Sequence, residues 1–173
     1  LAGALRHSAP PQSAAQPARF FSQKLDHHNA TSTRAFQQRY FVDDSMWRAP
    51  DGPVFLYVSG EAPLYGTPAR SSLIGELARA HGAAIVALEH RFYGESVPFA
   101  TLDLGALSYL NTRQALRDTI AFRAHISSQL RRNHPGGAAS RWIAFGGSYA
   151  AALAVWARAK FPALIDGVVA SSA

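Results

Sequence analysis

The chain has 173 residues, 48 % of them hydrophobic, which suits a single domain with a real core. Its 17 basic and 11 acidic side chains leave a formal charge of +6 and a pI near 10.2. The charge is nearly all arginine, scattered with only Arg131 and Arg132 adjacent. No helix-turn-helix, zinc-ligand or aromatic RNA-binding pattern accompanies it, so it reads as a solvated basic surface and no nucleic-acid partner is expected.

Residues 1–18 are rich in Ala, Pro, Ser and Gln without periodicity. They read as the remnant of a signal or pro-segment, or as a flexible leader. Arg19 to Leu25 and Ala35 to Val42 predict an antiparallel hairpin with a long polar loop. That loop holds Asn29-Ala30-Thr31, an N-glycosylation acceptor triplet. Turn residues follow at Asp43-Asp44 and over 49–53. Val54–Val58, Ala83–Leu88, Trp142–Phe145 and Gly167–Ala170 are continuous apolar runs, the pattern of strands buried on both faces. Helical patterns fill the gaps. Ser71 to Ala80 carries Leu73, Ile74 and Leu77 on one side and meets a capping Gly82. Asn111 caps a long helix with Ala115, Thr119, Phe122, Ile126 and Leu130 on one face. Ser148 to Lys160 is alanine-rich and ends at Phe161-Pro162. Alternating strands and helices predict an α/β fold with a mixed, mainly parallel sheet and helices on its faces. No apolar run approaches the roughly 18 residues of a membrane span.

The chemistry concentrates where Trp142–Phe145 runs through Gly146-Gly147 into Ser148, Tyr149 and a helix. A nucleophilic serine needs exposure, a base and donors for a developing oxyanion. A strand, a tight turn and a helix supply the exposure, and small flanking residues let the turn fit. Here Gly146 and Ala150 flank Ser148, giving Gly-x-Ser-x-Ala. The competing reading is that Ser148 only caps the helix through its side chain. In a nucleophile elbow one oxyanion donor is the backbone N–H after the serine, that of Tyr149. A second would come from the loop Ser59-Gly60-Glu61-Ala62-Pro63, unless that is an ordinary turn. Glu89-His90-Arg91-Phe92-Tyr93-Gly94 follows a strand at the edge where parallel sheets place their sites. His90 precedes the nucleophile, against the chain order of the fold, so it is not read as the base. A buried Glu89–Arg91 pair is expected to brace that loop. Ser96 is read as a loop residue because Val97-Pro98 blocks a helix after it. Asp166 is read as a surface turn residue. No histidine follows Ser148.

These segments resemble the serine peptidase family of lysosomal Pro-Xaa carboxypeptidase, dipeptidyl peptidase II and thymus-specific serine protease. The matching residues are Leu25-Asp26-His27, Phe36 with Gln38-Arg39-Tyr40-Phe41, Gly60-Glu61 and Glu89 to Ser96. Tyr109-Leu110, Gln114-Ala115-Leu116 with Asp118, Gly146 to Tyr149 and Val169 to Ala173 also fit. Gly-Gly-Ser-Tyr-Ala and Ala157 to Pro162 align the chain with the thymus-specific branch. The resemblance implies that residues 19–173 are the N-terminal part of an α/β-hydrolase domain, cut before a helical cap that follows the sixth strand. It implies Ser148 as nucleophile, Tyr149 as oxyanion donor and a catalytic acid and histidine beyond Ala173. It also implies a glycosylated Asn29 and a place in the secretory pathway, lysosomal, endosomal or extracellular. Alanines at 62 and 151, where the family usually carries glycine, and the absence of cysteine are departures from it.

The expected function is a serine exopeptidase that takes a peptide substrate, cleaves after proline and works through an acyl-enzyme on Ser148. No cofactor and no metal are expected, and a homodimer is the candidate assembly of the full-length protein. Two other readings stand beside it: a catalytically silent fragment or pseudo-enzyme of the same family, and an ester or lipid hydrolase on the same fold.

Overall fold

The computed structural model describes residues 16–135 and 140–173. Strands β1 (Arg19–Lys24) and β2 (Ala35–Asp43) form the hairpin, with Arg19 opposite Tyr40 and Lys24 opposite Ala35. Strands β3 (Val54–Val58), β4 (Ala84–Leu88), β5 (Trp142–Gly147) and β6 (Gly167–Ser171) complete one sheet of order β1-β2-β4-β3-β5-β6. β4, β3, β5 and β6 are mutually parallel, and β2 joins β4 antiparallel. The sheet is mixed and mainly parallel, as expected.

Side chains that alternate along each strand explain the continuous apolar runs. Leu56, Val86 and Ala144 face one side, where they pack with Phe122 and Ile126 of α3 (Thr112–Asn133) and Leu153 of α4 (Tyr149–Lys160). Phe55, Ile85 and Phe145 face the other, against Ile74 and Ala78 of α1 (Leu73–His81). Fully burying each of the Val, Leu, Ile and Phe side chains among these contributes about 1.5–3 kcal/mol. The caps are also where the sequence puts them. Asn111 accepts a side-chain bond from Gln114 N–H at 3.1 Å, and Gly82 adopts the left-handed conformation (φ 62°) while donating to Ala78.

Two of these expectations need correction. Leu73 is 63 % exposed, and the buried stripe of α1 runs through Ile74, Gly75 and Ala78. The rotation follows from Gly75: a Cβ there would lie 2.5 Å from Arg70 Cα, so this side of the helix meets the preceding loop. β6 is partly exposed rather than buried on both faces, because it is the edge strand beyond β5. A further helix, α2 (Leu104–Leu107), had no signal. Four residues are too short for periodicity, and only its N-cap, Asp103 accepting from Ala106 N–H at 2.7 Å, marks it. Of the leader, residues 1–15 lie outside the described residues. Gln16 donates to Thr67 Oγ1 at 2.9 Å and accepts from Thr67 N–H at 3.0 Å.

Candidate active site

Ser148 is the single residue between the end of β5 and the start of α4. It is exposed, with φ 55° and ψ −127°, a conformation an L-residue holds at a cost of about 1–3 kcal/mol. Backbone bonds hold it there. Its N–H donates to Ser171 O of β6 at 2.9 Å, and its C=O accepts from Ala151 and Ala152. Its side chain makes no capping hydrogen bond to α4, which removes the capping reading. The sharpness of the turn depends on Gly146. A Cβ there would meet Ala150 O and lie 2.5 Å from Ala150 C and 2.7 Å from Ala151 N. Gly147 has open space where its Cβ would be. Ala151 is fully buried, so the departure from glycine at this position fits the packing. Tyr149, as the first residue of α4, has an N–H that no carbonyl of its own helix can accept.

Because β3 and β5 are parallel neighbours, the loops after Val58 and Gly147 leave the sheet at the same edge. Gly60 lies beside the first turn of α4: a Cβ on it would reach Ala150 Cβ at 4.0 Å. Glu61 is exposed on that loop and lies within electrostatic range of both His90 and Tyr149. His90 is buried. Its Nδ1 lies 2.7 Å from Arg91 O and its Nε2 3.3 Å from the Tyr149 hydroxyl, and the Tyr93 ring stands edge-on at 5.5 Å. Burial pushes the His90 imidazole below its usual value and the Tyr149 phenol above its own.

The expected Glu89–Arg91 pair does not form. Glu89, fully buried, pairs with Arg39 of β2 (Nη2 2.5 Å, Nε 3.2 Å from Oε1) and accepts from Leu64 N–H, Glu95 N–H and Ser96 Oγ. Arg91, equally buried, makes a two-pronged pair with Asp118 of α3 at 2.6 and 2.7 Å and donates to Leu25 O and Tyr109 O. His27 Nε2 also meets Asp118 Oδ1, at 2.7 Å. The β4–α2 loop is braced by two pairs reaching opposite ways, since β2 flanks one side of β4 and α3 covers a face. Arg39 and Asp118 carried no local signal of these roles beyond standing in segments that carry the resemblance. Ser96 is a buried loop residue, as read, and donates to Glu89 at 2.6 Å.

Asp166 is exposed before β6 and accepts from Trp142 N–H at 2.7 Å, at the start of β5. That is the opposite end of β5 from Ser148, so Asp166 cannot orient a base there. Beside Gly146 and Gly147 an apolar cleft of about 710 Å³ opens over Tyr57, Phe145 and Val169, walled by Leu64 and Tyr65. The edge thus gathers an exposed serine on a strained turn, the N–H of the first residue of α4 and an apolar cleft.

Comparisons with known proteins give the family and the fold. The family model described as serine carboxypeptidase S28 matches residues 23–173. The chain is 46 % identical over 154 residues to the thymus-specific serine protease of Mus musculus, covering 89 % of this chain and 30 % of that protein. It is 37 % identical over 158 residues to the lysosomal Pro-X carboxypeptidase of Bos taurus, covering 90 % and 31 %. It therefore spans about a third of the length of these relatives. Among solved structures it is similar to a prolyl endopeptidase (TM-score 0.56, 16 % identity, 94 % of this chain and 22 % of that one). It is also similar to the acylaminoacyl peptidase of Pyrococcus horikoshii (TM-score 0.53, 14 % identity, 91 % and 23 %). At such identities these show the fold, that of the N-terminal part of an α/β hydrolase. The chain belongs to the serine carboxypeptidase S28 family, a family of serine peptidases.

Proposed function

We propose that this chain supplies the nucleophile and an oxyanion donor of a serine exopeptidase. Ser148 Oγ attacks the carbonyl carbon of a peptide bond, and the developing oxyanion is met by the Tyr149 N–H and a donor from the Gly60–Glu61 loop. The Oγ proton passes to a histidine outside these 173 residues, which an acid orients and which then returns the proton to the leaving amine. Collapse of the tetrahedral intermediate expels that amine and leaves an acyl ester on Ser148; water then releases the acid.

The observation that carries this reading is Ser148 itself, exposed and held at positive φ with its side chain uncommitted to the helix. Cleavage after proline and a secretory or lysosomal location belong to the same proposal, suggested by the relatives named lysosomal Pro-X carboxypeptidase; a homodimeric full-length protein is proposed with them, as an expectation. Glycosylation of Asn29 belongs to it too. Asn29 is exposed in the hairpin loop, its side-chain oxygen accepting from Thr31 N–H and Oγ1 at 3.1 and 2.8 Å. A fluorophosphonate probe applied to the full-length protein is expected to label Ser148, and Ser148→Ala should abolish the label. Labelling that survives the substitution, or none in the wild type, defeats the proposal. The 173-residue chain alone, without the base, should show no peptidase turnover.

A further inference from the structure

The strained elbow is held between strands on both sides. Toward β6, Ser148 N–H is tied to Ser171 O. On the opposite side of β5, beyond β3, the loop after β4 reaches back through His90 to the Tyr149 hydroxyl. A carbonyl oxygen can only accept, so the 2.7 Å contact with Arg91 O places a proton on His90 Nδ1. In a neutral ring Nε2 is then bare and can only accept. The Tyr149 hydroxyl must therefore donate to it. The groups facing the imidazole are Arg91, Asp118, the Tyr93 ring and the Glu61 carboxylate, and its burial favours the neutral form. Both ring nitrogens are thus committed, which is a geometric reason, separate from chain order, why His90 does not take the Ser148 proton.

We propose that His90 is a positioning residue: by accepting from the Tyr149 hydroxyl it fixes the residue whose backbone N–H meets the oxyanion. This rests on the reading of Ser148 as nucleophile. A strained turn persists only when its surroundings over-determine it. Here the serine is tied on its N-terminal side to β6 and its successor's side chain to the loop after β4. Loss of the second tie lets Tyr149 move with the first turn of α4, and the donor drifts from the place where charge develops. Substrate binding in the cleft would be untouched, so the cost falls on acylation.

The test has two arms. In the full-length protein with ¹⁵N-labelled histidine, His90 should show a protonated Nδ1 and a bare Nε2 at neutral pH. Tyr149→Phe should shift the Nε2 resonance toward that of a free acceptor. In the full-length protein, His90→Phe and Tyr149→Phe should each slow phosphonylation of Ser148 about tenfold with KM for peptide unchanged. The double variant should be no slower than either, because both remove one hydrogen bond. His90→Gln, whose side-chain oxygen can accept, should recover part of the loss. A wild type that fails to label overturns the nucleophile reading and this proposal with it. A wild type that labels, with variants that label equally fast, lose in KM or lose additively, overturns the positioning role alone. So does an Nε2-protonated tautomer.

Discussion

At the scale of single residues, Ser148 occupies backbone space that disfavours any Cβ, and stability at this position can be read independently of activity. Ser148→Ala keeps the Cβ and its strain, whereas Ser148→Gly removes it. Relief of about 1–3 kcal/mol, less the roughly 0.5–1 kcal/mol that glycine's extra freedom costs, favours the glycine variant by about 1 kcal/mol. In a chain of this size that is roughly 2–4 °C in Tm. A thermal melt in which the alanine variant is equal or better would show that the turn stores no strain. The elbow was legible in the sequence because its signature is local: an apolar strand, two glycines, a serine and an alanine-rich helix. The partners of Glu89 and Arg91 were not. Two buried charges two residues apart suggest each other, yet each found a partner more than twenty residues away, Arg39 and Asp118. Only the placement of β2 and α3 around β4 decides that, and no local pattern encodes it.

At the scale of elements, the site depends on how closely β5 meets the first turn of α4, and two adjacent glycines separate packing from conformation. Gly146→Ala drives a methyl into the backbone of Ala150 and Ala151, which cannot yield as a flexible side chain would. It should destabilise by ~2 kcal/mol, lowering Tm by roughly 4–8 °C. Gly147→Ala meets open space and should leave Tm within about 1 °C. Equal losses in parallel melts would contradict the packing account. The same contrast explains which elements were legible. β3, β4 and β5 are covered on both faces and so write continuous apolar runs, and α3 announces itself through Asn111 and its apolar face. The order in which β3 and β4 sit in the sheet is a property of the crossovers between them, so no strand sequence states it. α1 was found but with its buried face misplaced, since Gly75, the residue that makes the close approach, adds nothing to a hydrophobic count.

At the scale of the whole molecule, the hairpin is locked onto the parallel sheet by polar bonds as well as by core. Gln23 donates to Gln38, which donates to Glu89 O, and His27 and Arg91 converge on Asp118. A fold tied in this way responds to acid as a unit. His90 and His125 are both held below the usual imidazole value of 6.5, each chiefly by burial, with Arg132 adding to the effect at His125. Each uses Nε2 as an acceptor, from Tyr149 in one case and from the Gln129 amide at 2.9 Å in the other, so protonation would break both bonds. In the unfolded chain the same imidazoles take up protons near pH 6.5. The unfolded state therefore binds more protons than the folded one just below that pH, and stability falls as acid increases. Above about pH 6.5 the contribution is complete. Below it the loss continues down to the depressed folded values. Lower still, Asp43 adds to the loss. Burial raises its carboxyl, but bonds from Ser45 and Arg70 more than offset this and hold it below 3.8. Urea midpoints should thus decline from pH 7.5 to pH 5, and His90→Gln combined with His125→Gln should flatten that decline, because glutamine does not titrate. A midpoint constant over this range, or a slope unchanged in the double variant, would mean that the two buried imidazoles do not govern the acid response.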